Sequence, residues 1–116
     1  MGLNVNLYIK KQILFIKLKG EMDQLTSDEL RLRLNEIIVK YNIRNLVFNM
    51  KEVTFIDSSG IGIIIGRYNQ LKLTGGKIYL CELNETIERI ILLSGLNRIC
   101  TIKETEEAVR WNLEMA

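Results

Sequence analysis

The segment with the most distinctive chemistry reads Asp57-Ser58-Ser59-Gly60-Ile61-Gly62. Two adjacent hydroxyls precede a stretch whose apolar residues recur at helical spacing, which puts them at the first free N–H groups of a helix. A helix start attracts anions, and one serine is enough to cap it. We therefore expect one hydroxyl to be available at an exposed site, where a phosphate would meet N–H donors but also face the Asp57 carboxylate.

Three glycines, Gly60, Gly62 and Gly66, crowd the start of this helix. A glycine inside a helix costs up to about 1 kcal/mol relative to alanine, so a close approach by another group is a reason to keep one there. For Gly66, packing within the fold and contact with a partner are both open. For Gly60 and Gly62 the sequence favours a partner.

Two enzymatic or ligand-binding interpretations of the same segment are weaker. The spacing of Gly60, Gly62 and Gly66, with Glu82 twenty residues after Gly62, loosely resembles a dinucleotide-binding loop. However, a single small domain lacks a second half for the other nucleotide, and Asp57 would repel a pyrophosphate. Ser58 as a hydrolytic nucleophile would need a general base, which a chain without histidine does not readily supply.

Composition excludes several classes of function. The 116 residues fit one domain, 1–116, and the net charge of +2 does not indicate nucleic-acid binding. The absence of histidine removes imidazole from any metal site or catalytic triad, and we expect neither a metal nor a cofactor. Cys81 and Cys100 form no CxxC pair and are predicted to be buried and reduced. No apolar run approaches the roughly 20 residues that span a bilayer, so we expect a cytoplasmic protein without membrane insertion.

The elements that must position the serines alternate between strands and helices. Apolar alternation over residues 3–9 and 14–18 predicts a β-hairpin that Gly20 ends. Thr26 and Glu29 have the spacing of a capping box, which predicts that the first helix starts at Thr26. Leu46-Val47-Phe48 has the continuous apolar character of a central strand covered on both faces.

The remainder of the chain continues this alternation. After the serines, a second helix is predicted to bury the apolar positions Ile61, Ile64, Ile65, Tyr68 and Leu71. The later elements are a strand over 77–83, a helix from Asn84 to Gly95, an edge strand over 98–102 and a last helix from Thr105. The predicted fold is α/β: a mixed sheet with an N-terminal antiparallel hairpin and about four helices. In such sheets the functional crevice lies beyond the carboxyl ends of the strands, where the serines fall.

The run from Phe55 to Gly62 resembles the phosphorylation motif of the anti-sigma factor antagonists, which carry the sulfate-transporter and anti-sigma antagonist (STAS) domain. The resemblance covers nearly the whole chain. Further segments lie at the family's spacing: Gly20 to Asp23, Leu46 to Asn49, Gly66-Arg67-Tyr68, Gly75-Gly76 and Ser94-Gly95-Leu96. Met22, in place of a more usual Leu, and the absence of a proline near Asn84 depart from the pattern without touching the motif.

The resemblance implies a regulatory binding protein rather than an enzyme. In its unphosphorylated form the protein would bind an anti-sigma factor that is also a serine kinase, and so release the sigma factor. Ser58 would be the phosphate acceptor, and Asp23, Asp57 and residues 58–62, including Ser59 and Ile61, would form the docking surface. The kinase would hold the ATP or ADP, and a metal-dependent phosphatase would restore Ser58. Length and Gly66-Arg67-Tyr68 favour a sporulation pathway over a general-stress pathway, which shares the motif.

Overall fold

The computed structural model describes residues 2–115 as a five-stranded mixed sheet with four α-helices. The strands are β1 (Leu3–Lys10), β2 (Ile13–Met22), β3 (Asn45–Ile56), β4 (Ile78–Cys81) and β5 (Thr101–Lys103). The helices are α1 (Gln24–Lys40), α2 (Ser58–Leu71), α3 (Glu85–Ser94) and α4 (Glu106–Met115). The α/β class, the hairpin and the four helices were all predicted from the sequence.

The strands lie in sequence order, with β3 at the centre. β1 pairs with β2 in antiparallel fashion, and every later pair is parallel. The hairpin prediction is therefore confirmed, and the β1–β2 pairing ends at Gly20, which pairs with Leu3, as predicted. At a φ of +119°, Gly20 takes up an irregularity in the β2–β3 register, and β2 continues to Met22.

Helices cover both faces of the sheet. Apolar residues of α1, α2 and α3, such as Leu34, Ile64 and Ile87, share one core with alternate residues of the strands. On the opposite face, Val109 of α4 packs with Phe15, Val47, Tyr79 and Cys81. This double cover explains why the chain is buried continuously from Leu46 to Met50.

The first helix begins earlier than the capping-box pattern predicts. Asp23 is its N-cap: the Asp23 carboxylate accepts a hydrogen bond from the backbone N–H of Thr26 at 3.0 Å, and the Thr26 hydroxyl accepts one from the N–H of Asp23 at 3.0 Å. Because β2 ends at Met22, the helix starts directly after it, and Glu29 lies exposed on the surface. The pairing of Thr26 with Glu29 was thus wrong, although Thr26 does belong to a capping box.

The later boundaries follow their predicted caps more closely. The Asn84 side chain accepts from the N–H of Ile87, and Gly95 follows α3 in the left-handed conformation. The Thr105 hydroxyl accepts from the N–H of Ala108 at the start of α4. The predicted strand over 98–102 is shorter and shifted, because residues 96–98 form a 3-10 turn before β5. Among the described residues, no helix is long and apolar enough to cross a membrane.

Candidate functional site

The predicted site lies where β2 and β3 end side by side. Met22 pairs with Ile56 at the ends of these strands, and the backbone N–H of Asp57 donates to the carbonyl of Met22 at 3.2 Å. Asp23 and Asp57 therefore follow neighbouring strand ends, and each caps the helix that comes next. The fold brings the predicted residues of both loops to one edge of the sheet.

Asp57 is the N-cap of α2, which changes the part that the serines play. Its Oδ1 accepts hydrogen bonds from the backbone N–H groups of Ser59 at 2.8 Å and Gly60 at 3.4 Å. A serine was expected to fill this position, but the carboxylate of Asp57 already does so. Ser58 is exposed, and its hydroxyl takes part in none of the side-chain hydrogen bonds found among residues 2–115. The hydroxyl is therefore free to react with a group delivered from outside.

The same geometry disfavours the dinucleotide-binding interpretation. The N–H groups that would have to cradle a phosphate at Gly60 are already directed at the Asp57 carboxylate. Glu82, the candidate ribose ligand, accepts a hydrogen bond from the backbone N–H of Glu106 at 2.9 Å and so caps α4 instead. Neither the N–H groups of the glycine loop nor the Glu82 carboxylate is therefore available to bind a dinucleotide.

Gly60 is required by the packing of the fold itself. A Cβ added there would stand 2.7 Å from Cγ1 of Ile56 and 2.9 Å from Cβ of Met22, which is too close for a real contact. The missing side chain lets the start of α2 pack directly onto the ends of β2 and β3. The sequence favoured a partner as the reason for this glycine, whereas its burial and these distances explain it without one.

Gly62 and Gly66 are different, because a Cβ at either position would meet nothing within 4 Å. Packing inside the fold, one of the two explanations left open for Gly66, therefore does not account for it. Ser58, Gly62 and Ile65 are exposed on successive turns of α2, while Ile61 is partly buried against the core. The outer side of α2 thus presents a hydroxyl, bare helix backbone and an isoleucine that is 40% exposed.

The Asp23 carboxylate is held in its charged form by its cap. Hydrogen bonds from the backbone and side chain of Thr26 lower the pKa of Asp23 below its ordinary value of 3.8. The Thr26 hydroxyl also donates to the carbonyl of Glu21 at 2.8 Å, which ties the end of β2 to the first turn of α1. The negative charge of Asp23 therefore lies at the end of β2, beside Asp57 at the end of β3.

Three buried residues of α2, Gly60, Ile63 and Arg67, were not predicted from the sequence. Helical spacing placed Ile65 on the inner side, but the buried residues are Gly60, Ile63, Ile64, Arg67 and Leu71. The buried face of α2 is rotated relative to the predicted one because the helix contacts the strand ends through Gly60. A glycine contributes nothing to an apolar pattern, so the sequence does not reveal this contact. A buried arginine has no signal in a hydrophobic pattern.

The profile of the STAS domain matches residues 4–109, nearly the whole of the chain and all of the site. The chain belongs to the STAS domain family. The resemblance seen in the motif around Ser58 is thereby confirmed.

Three relatives illustrate how far the similarity extends. The chain is 33% identical over 115 residues to the anti-sigma F factor antagonist of Paenibacillus polymyxa, covering 99% of this chain and 98% of that protein. It is 27% identical to the anti-sigma-B factor antagonist of Bacillus subtilis, covering 92% and 96%. The solved structure of the anti-sigma factor antagonist SpoIIAA in its unphosphorylated form has a TM-score of 0.78 at 19% identity, covering 97% and 99%. This last likeness supports the fold.

Proposed function

We propose that this STAS domain is an anti-sigma factor antagonist. In its unphosphorylated form it binds an anti-sigma factor that is a serine kinase, and the bound kinase releases its sigma factor. The names of the relatives in Paenibacillus polymyxa and Bacillus subtilis support this class of partner. The structural observation that carries the proposal is the exposed hydroxyl of Ser58 on a helix already capped by Asp57.

Phosphorylation of Ser58 would switch the binding off. A phosphoserine carries a charge of about −1.5 to −2 at neutral pH. Here the charge would lie beside the Asp57 carboxylate, and that carboxylate holds the N–H groups that would otherwise stabilise it. The folded chain tolerates an exposed phosphate in water, whereas a partner docked on this surface would have to desolvate it without a counter-charge.

The docking surface in this proposal consists of Asp23, Asp57 and the exposed part of residues 58–62. Gly62 leaves the helix backbone uncovered, so a partner can approach it closely. Gly60 contributes indirectly, because it sets the position of α2 against the strand ends. The chain needs no cofactor of its own: the kinase holds the nucleotide, and a metal-dependent phosphatase in the same cytoplasm restores Ser58.

The pathway we propose is sporulation, with the forespore sigma factor as the one released. The identity of 33% over nearly the whole chain with the anti-sigma F factor antagonist of Paenibacillus polymyxa supports this pathway. Incubation with the anti-sigma kinases of a sporulation pathway and of a general-stress pathway separates the two, since only the cognate kinase should bind tightly.

Mapping of the phosphorylation site tests the proposal. The protein is incubated with the kinase and ATP, and the modified residue is identified by mass spectrometry. We expect one phosphate, on Ser58, with no incorporation in Ser58→Ala and with the phosphate still on Ser58 in Ser59→Ala. Kinase-dependent phosphate that persists in Ser58→Ala would contradict the assignment.

A further inference from the structure

The two edges of the sheet differ in how well they are protected against pairing with another strand. β5, at one edge, is only 3 residues long. β1, at the other edge, runs for 8 residues in unbroken register with β2, and its one charged residue, Lys10, stands at its end. Short length, bulges, prolines and charges within the strand are the usual protections of an edge. β1 has none of these and is open to a further strand.

The hydrogen bonds of the hairpin show which backbone groups of β1 point outward. The N–H of Glu21 donates to the carbonyl of Gly2 at 3.1 Å, one step beyond the pairing of Leu3 with Gly20. Hydrogen-bonded and non-hydrogen-bonded pairs alternate along an antiparallel ladder, so the even-numbered residues of β1 exchange hydrogen bonds with β2. The residues that direct their N–H and C=O groups away from β2 are therefore the odd-numbered ones: Leu3, Val5, Leu7 and Ile9.

We propose that this edge binds a second copy of the chain, by antiparallel pairing of the two β1 strands about a two-fold axis at Asn6. The inference does not rest on the proposed function. In this register Val5 lies opposite Leu7 of the second copy, and Leu3 lies opposite its Ile9. Every outward N–H and C=O group of both strands is then paired. An axis at Leu7 would instead leave Leu3 beyond the end of the paired strands.

The apolar face of β1 fits this arrangement. A groove of about 490 Å³ lies between β1 and α1, and its lining includes Leu3, Val5 and Leu25. Residues that lie opposite each other in a strand pair project from the same face of the sheet. Leu7 and Ile9 of the second copy would therefore project beside this groove. Pairing would cover two exposed apolar side chains, Ile9 at 40% and Leu25 at 82% exposure.

The polar face of β1 sets no charge against itself. Asn6 would face Asn6 of the second copy, and Asn4 would face its Tyr8, so no two like charges lie directly opposite each other. The interface consists of one strand pair and the adjoining grooves, which is small beside the roughly 800 Å² per partner of a standard interface. We therefore expect a weak dimer whose population depends on the protein concentration.

Self-pairing would leave the Ser58 surface accessible on both copies. β1 lies at the edge of the sheet, whereas α2 contacts β3 at its centre. The dimer would therefore carry two copies of that surface.

Lysine substitutions on the polar face of β1 test the proposal. Asn6 is exposed and pairs with Lys17 of β2, and Asn4 is exposed and pairs with Lys19. A lysine should therefore affect the monomer similarly at either position. Asn6→Lys places two lysines opposite each other across the two-fold axis and should weaken self-association by about fivefold or more. The matched control Asn4→Lys, which would face Tyr8, should associate as the wild type does. Sedimentation velocity over a hundredfold range of concentration measures both.

A mixture of variants identifies the axis directly. Asn6→Asp alone should also associate weakly, but an equimolar mixture of Asn6→Lys and Asn6→Asp should form heterodimers at least as well as the wild type associates, because opposite charges then meet. Circular dichroism verifies that each variant is folded. A wild type that stays monomeric at every concentration would overturn the proposal and leave the edge to a strand of another protein. Equal association of Asn6→Lys and Asn4→Lys, or a mixture no better than its components, would overturn it as well.

Discussion

At the scale of single residues, two aspartates organise the site, one at the end of each central strand. Asp23 and Asp57 occupy the N-cap positions of α1 and α2, so neither Ser58 nor Ser59 is needed as a helix cap. The sequence did predict the position of Ser58 at a helix start. It did not predict that Asp57 is the cap, because Asp, Ser and Thr all favour that position and the motif contains two of these types in succession.

Removal of the Asp57 carboxylate should loosen the start of α2. Asp57→Ala leaves the N–H groups of Ser59 and Gly60 without their acceptor, and we expect a loss of about 0.5–2 kcal/mol in the free energy of unfolding. Asp57→Asn retains an acceptor oxygen and should lose much less. Urea denaturation of both variants and of Ser58→Ala measures this, and a Ser58→Ala as unstable as Asp57→Ala would show that the serine is the cap.

Asp23 should contribute to stability in a pH-dependent way. Its folded-state pKa is lowered by its hydrogen bonds with Thr26, so its contribution is complete above 3.8 and is lost as the pH falls through the folded-state value. The difference in unfolding free energy between wild type and Asp23→Asn should therefore shrink as the pH is lowered from 6 to 2. Asp28→Asn, an exposed change on the same helix, is the control. A difference that grew on acidification would contradict the account.

At the scale of elements, α2 combines a tightly packed start with a bare outer face. Gly60 sets the contact with β2 and β3, and Gly62 with Gly66 leaves the outer backbone uncovered. Sequence patterns predicted that this helix exists and where it begins, since the apolar spacing is strong. They could not rank the glycines, because a missing side chain looks the same in a sequence whether it serves packing or a partner.

Alanine substitutions should separate the glycines. Gly60→Ala forces a Cβ against Ile56 and Met22 and should lower the free energy of unfolding by about 1–3 kcal/mol. Gly62→Ala meets nothing and should raise it by up to about 1 kcal/mol through helix propensity. Thermal or urea unfolding measures both. Equal destabilisation by the two changes would mean that Gly62 is also held by the fold.

A larger side chain at the exposed position should affect binding instead of folding. Gly62→Leu should keep a melting temperature close to that of the wild type and weaken binding to the kinase, since the side chain would project from the outer face of α2. Isothermal titration with the kinase reports the affinity. A fall in melting temperature comparable to that of a core truncation, with normal binding by the folded fraction, would contradict the placement of Gly62 in the docking surface.

At the scale of the whole molecule, helices cover both faces of the sheet, so a local change at one edge need not alter the packing of the two cores. Hydrophobic periodicity predicted the alternation of strands and helices and the central position of β3, because burial on both faces leaves a continuous apolar run. The rotation of α2 and the early start of α1 escaped prediction, because both depend on how strand ends and helix starts meet in three dimensions.

The reactivity of the two cysteines shows whether the two cores of the protein stay closed to solvent. Both thiols are buried, and burial raises the pKa of Cys81 and of Cys100 to about 12. At pH 8 they should react with a thiol reagent only when the protein unfolds, so the labelling rate should increase with urea in parallel with the loss of circular dichroism. Rapid labelling of the native protein would show that one of the cores opens locally.

The central claim is that phosphorylation of Ser58 controls whether the chain can displace a sigma factor. The most direct measurement starts from a complex of the anti-sigma kinase with a fluorescently labelled sigma factor and follows release of the label by anisotropy. Unphosphorylated protein should release the sigma factor, and protein phosphorylated on Ser58 should not, while both keep the same circular dichroism spectrum. Release by both forms, or by neither, would contradict the account.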